Sequence, residues 1–96
     1  MNEHDWEMLL ILAEEKNITR AAERLFVAQS SLSYRIKNLE DELRVPLLLR
    51  TKNGILFTSE GEYLLQYAKN MKTQLEQLRE YICFVKNPYV LYPVLQ

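Results

Sequence analysis

Asn17 to Leu43 read NITRAAERLFVAQSSLSYRIKNLEDEL, two short helical patterns separated by a turn too tight for anything but a helix-turn-helix. In the second pattern Leu32, Ile36, Leu39 and Leu43 recur at steps of four, three and four, the period of one buried helix face. At about 100° per residue the opposite side carries Ser30, Tyr34, Lys37, Asn38 and Asp41, flanked by Ser33 and Arg35, all short hydrogen-bonding groups or charges apart from the phenol. Such a face suits base edges and phosphates, although a polar face taken alone also fits an ordinary solvated helix. The first pattern, Ile18 to Leu25, holds Ala21 and Ala22 side by side, small enough for another helix to approach closely, and Phe26 and Val27 fall in the turn. Two helices crossing at about 90 to 120° across such a turn lay the second in the major groove.

The run TRAAERL, followed by Val27, Gln29, Leu32, Ser33, Ile36, Leu39-Glu40 and Leu43, resembles the amino-terminal domain of LysR-type transcriptional regulators. The match continues through Leu47, Arg50, Thr58 and Gly61. It implies a mainly α fold, a winged helix-turn-helix of three helices plus a two-stranded β wing, followed by a long dimerisation helix. The implied function is regulation of transcription by a dimer, or a higher oligomer, that binds an inverted-repeat site in double-stranded DNA, with no cofactor. Family members usually continue into an effector-binding domain that this chain lacks, so a small-molecule effector is expected only with such a domain. The alternative is a dimerisation or decoy module that pairs with related regulators and has no sensor of its own.

Composition is compatible with this. Ninety-six residues suffice for one small domain, which buries only about 60 to 65% of its unfolded surface and often gains stability by oligomerising. No uncharged apolar run is long enough to span a bilayer. The first fifteen residues carry five acids and no Lys or Arg, unlike a secretory signal, so a cytoplasmic protein is expected. One cysteine, Cys83, cannot form an intramolecular disulfide, and a single histidine, His4, with no metal-ligand or phosphate-loop spacing argues against an enzyme. The net charge of −1 disguises a polar distribution: residues 16 to 53 hold eight bases against four acids. Because charges farther apart than about 8 Å are largely screened, that local +4 matters more to DNA than the total.

Outward from the helix-turn-helix, Asp5 is expected to cap a first helix from Trp6 to Glu15, with Trp6, Leu9, Leu10 and Ala13 as one stripe and Met8, Ile11 and Leu12 off it. Asn17 is a good cap for the second helix. Ala28 stands where the family commonly has a capping Ser, with Ser30 or Ser31 as substitutes. Gln29, Ser30, Ser31 and Ser33 occupy the part of a recognition helix that reaches base edges, and the Gln29 amide can pair with adenine. The acids Glu40, Asp41 and Glu42 should stay outside the groove. Arg44 to Thr58 contains two β-prone runs joined at Asn53-Gly54, the expected wing, with Arg50, Lys52 and Asn53 as phosphate-reaching groups.

Thr58 and Ser59 can cap a last helix, and Ser59 with Glu62 has capping-box spacing. Leu64, Ala68, Met71, Leu75, Leu78, Ile82 and Val85 then form a heptad seam, expected to pair with a second chain. The expected organisation is a DNA-binding domain over 1–58, a dimerisation helix over 59–87 and an extended tail over 88–96 that follows Pro88.

Overall fold

The computed structural model describes residues 1–86, and the tail expected over 88–96 lies outside the described residues. The elements in order are α1 (Glu3–Glu15), α2 (Ile18–Leu25), α3 (Gln29–Leu43), β1 (Leu48–Thr51), β2 (Gly54–Phe57) and α4 (Ser59–Lys86). This is a winged helix-turn-helix followed by one long helix.

Helix α1 begins three residues earlier than expected. Asn2 is its cap, accepting the Asp5 N–H, while the Asp5 carboxylate accepts the Asn2 N–H, so Asp5 closes a capping box and is not itself the cap. Its core-facing residues are Met8, Leu9 and Leu12. The expected stripe is thereby split, because only Leu9 of its four members is buried, while Trp6 turns toward α4 and stacks at a tilt on Tyr67 with centroids 5.4 Å apart. Asn17 caps α2 as expected, accepting the Arg20 N–H at 2.9 Å. Ala21 and Ala22 are buried between α1 and α3. Arg24 ties α2 back to α1 through Glu14 and Glu15. Its hydrogen bond and charge hold the Glu14 carboxyl below its ordinary range.

Helix α3 has no side-chain cap. Ala28 supplies none, and neither Ser30 nor Ser31 replaces it. Leu32, Ile36 and Leu39 are buried as the period required, but Leu43, the last of the four, lies exposed where the helix leaves the core.

The two strands pair antiparallel, Leu48 with Phe57 and Thr51 with Gly54, so the turn residues are Lys52 and Asn53. The turn thus falls one residue before the expected Asn53-Gly54 pair. Gly54 is the first strand residue at φ +131, and a Cβ there would collide with the Lys16 carbonyl oxygen. The close approach has a purpose: that same oxygen accepts the Ile55 N–H at 3.1 Å, pinning the hairpin to the end of α1.

Thr58 caps α4, its Oγ1 accepting the Gly61 N–H at 3.0 Å. Ser59 lies inside the helix and bonds Glu60, so the expected Ser59–Glu62 capping box does not form. Through 28 residues α4 runs about 42 Å, longer than the rest of the domain can cover.

Candidate nucleic-acid interface

The outer side of α3 is exposed from its first residue onward: Gln29, Ser30, Ser31, Tyr34, Lys37, Asn38 and Asp41 all face solvent, while Ser33 is half-buried. This arrangement follows from the inner face. Once Leu32, Ile36 and Leu39 are fixed in the core, the residues between them have only one direction left.

The wing joins this surface through Arg50. Paired with buried Ile55, Arg50 lies on the hairpin face turned toward the domain, and its Nη2 donates to Ser33 Oγ at 3.1 Å. A shallow groove results between α3 and β1, lined by Ser30, Ser33, Tyr34, Lys37 and Arg50, with Asp41 at its far end. Here two serine hydroxyls, a phenol and two cations face one opening, groups that donate to base acceptors and phosphate oxygens, with the carboxylates of Glu40 and Asp41 also in its lining.

Gln29, Ser31 and Asn38 are exposed on α3 outside this lining, and three further expected residues lie elsewhere. Lys52 and Asn53 sit exposed at the hairpin tip, which is shaped by Thr51: its Oγ1 accepts the Asn53 N–H and donates to the Gly54 carbonyl. Arg35 is half-buried and donates to the His4 carbonyl at 3.3 Å, so its guanidinium turns toward the start of α1 and away from the groove.

Glu40 is a functional residue that the sequence reading missed. Its Oε2 accepts the N–H groups of Leu47 at 2.6 Å and Leu48 at 3.2 Å, which fixes the first residue of β1 against α3. Two helical turns separate it from Ser33, so one side of α3 holds the wing at both ends of the groove. An acid in an acidic run carries no local sign of this. Replacing Glu40 with Ala strands two partly buried amides, and thermal unfolding should show a loss of about 1 to 3 kcal/mol. A melting curve matching the parent would remove Glu40 from the wing's support.

The single chain also divides the expected seam. Ala68 is already 0% exposed and Leu64 packs on the core, so the first part of the seam is used within the subunit and Ala68 has no surface left for a partner. Leu75 and Val85 are half-buried, Leu75 beside Leu10 and Ile11 of α1. Met71, Leu78 and Ile82 remain 38%, 52% and 43% exposed.

Residues 4–62 match the family described as bacterial regulatory helix-turn-helix protein, lysR family. The HTH-type transcriptional regulator YraN of Bacillus subtilis is 43% identical over 82 residues, 85% of this chain and 28% of its own length. The DNA-binding transcriptional dual regulator OxyR of Escherichia coli is 42% identical over 80 residues, 83% of this chain and 26% of its own. The chain therefore spans little more than a quarter of such relatives. Among solved structures, the BenM DNA-binding domain in complex with catB site 1 DNA superposes with a TM-score of 0.83 at 30% identity, covering 93% of this chain and all of that one. The CbnR DNA-binding domain in its DNA complex gives 0.75 at 28% identity, covering 84% of this chain and 93% of that one.

Proposed function

This chain belongs to the LysR family of bacterial regulatory helix-turn-helix proteins, and from that premise we infer that it is a sequence-specific DNA-binding regulator of transcription, acting in the cytoplasm as a dimer on an inverted-repeat site. The observation that carries the reading is the Arg50–Ser33 hydrogen bond. It joins wing and recognition helix into one polar surface, so that a duplex seated on α3 meets the wing cation in the same encounter. The local excess of bases over residues 16 to 53 supports an anionic partner.

Gln29 and Ser33 stand at the leading half of α3 and read base edges; Lys37 and Arg50 hold phosphates. Ser30, Ser31, Tyr34 and Asn38 complete the contacting face, and Lys52 and Asn53 reach the backbone from the wing tip. Dimerisation runs through the part of α4 that its own subunit leaves uncovered, Met71 through Ile82. Two half-sites facing opposite ways follow from a twofold-symmetric pair.

Gln29→Ala and Arg50→Ala should fail in different ways. The first is expected to relax base preference, costing about 1 to 3 kcal/mol at the selected site and little on random duplex. The second should weaken every duplex alike and reduce the dependence of affinity on salt by about one counterion. Titration of both variants at several salt concentrations separates the roles; equal losses on selected and random DNA for Gln29→Ala would refute base reading by that residue.

A further inference from the structure

Gln29 is the first residue of α3, and its side chain is held from another helix. The Thr19 hydroxyl, in the first turn of α2, donates to Gln29 Oε1 at 3.1 Å. Thr19 is the one hydrogen-bond partner of the Gln29 side chain among the described residues. The turn between them is itself fixed, with the Phe26 N–H on the Glu23 carbonyl and the Val27 N–H on the Ala22 carbonyl, so the two helix starts keep a set distance. Ala28 adds nothing to orient the amide, because it has no polar side chain.

We propose that Thr19 is a positioning residue for DNA specificity: it holds the Gln29 amide in one place at the start of α3, and thereby sets which base the amide reaches. The proposal rests on Gln29 reading a base. An amide oxygen engaged by the hydroxyl keeps one lone pair, while both N–H protons of the NH2 group remain for the DNA. A Gln side chain with no such partner would sample several rotamers and lose that freedom on binding. Held by Thr19, it meets the duplex from one position, and a base edge that does not match the amide there is rejected.

The test uses the full chain and the duplex that the parent protein selects from a random pool, together with that duplex changed at each position and an unrelated duplex. Thr19→Val keeps the shape of the side chain and removes the donor. Its discrimination between selected and changed duplex should fall about three- to tenfold, the range of one net hydrogen bond. The loss should centre on the position that Gln29→Ala relaxes. Thr19→Ser should retain the parental ratio, and Thr19→Val added to Gln29→Ala should lower the ratio no further.

Parental discrimination by Thr19→Val, with Gln29→Ala relaxed, would overturn the proposal and leave base reading by Gln29 intact. Equal losses on selected and unrelated DNA by Thr19→Val would overturn it as well, since a merely structural role predicts that pattern. Unchanged discrimination by Gln29→Ala would remove the reading beneath it, and the proposal with it.

Discussion

Leu78→Asp is expected to turn the protein into folded monomers and to weaken binding to a two-half-site duplex by about a hundredfold or more, while a single half-site is bound as before. Leu78 is 52% exposed in the single chain, so an aspartate there meets water in the monomer and the subunit's own core is not involved. In a dimer paired along α4 the same change would bury two like charges in an apolar seam, once from each subunit. The avidity is lost with the dimer, because the second half-site contact ceases to be intramolecular. Sedimentation with circular dichroism reads the state, and titration of the two duplexes reads the consequence. A variant that stays dimeric, or that becomes monomeric with parental affinity for the full site, would take the exposed seam out of the account. Leu75, equally apolar and mid-seam, is the poorer probe because it is half-buried beside α1.

The second large effect is on stability. Gly54→Val should cost about 3 kcal/mol or more, because a β-branched residue at φ +131 is strained and its Cβ meets the backbone carbonyl of Lys16. For a domain of this size that lowers the melting temperature by more than about 10 °C. Relieving the collision means moving the hairpin off α1, which also breaks the Ile55–Lys16 hydrogen bond and shifts Arg50 relative to α3. Lys52→Ala, two residues away on the exposed turn, is the control and should stay within about 0.5 kcal/mol of the parent. Parental stability in Gly54→Val would mean that the wing is not packed on α1 as described.

These two residues also mark where the sequence was readable. Leu78 belongs to a periodic pattern, and periodicity survives without knowledge of neighbours. The same holds for the inner face of α3 and for Asn17, whose capping bond lies within three residues of it. What sequence reasoning missed depends on contacts across the chain. The hairpin turn shifted by one residue because Gly54 answers to Lys16, 38 positions earlier. Asp5 and Asn2 are both good caps three residues apart, and the capping box uses them together. Of the two caps expected for α4 only Thr58 serves, because it also donates to the Pro46 carbonyl and so is held where α4 must start.

The candidate site divides in the same way. Helical geometry put Lys37 on the outer side of α3 with Ser33 on its flank, and Gln29 was legible as part of the helix start; Gln29 and Lys37 are exposed and Ser33 is half-buried. That geometry could not separate Arg35 from that group, since half a turn of helix decides whether a guanidinium meets the groove or the His4 carbonyl. Glu40 and Thr19 had no legible role, because each acts on a residue of another element.

The most direct measurement is selection of bound sequences from random duplex DNA by the full chain. A dimer reading an inverted repeat should enrich a site of two half-sites related by twofold symmetry, in which a base pair relaxed by Gln29→Ala appears once in each half. Enrichment of a single unrepeated motif, or no enrichment over the starting pool, would contradict it.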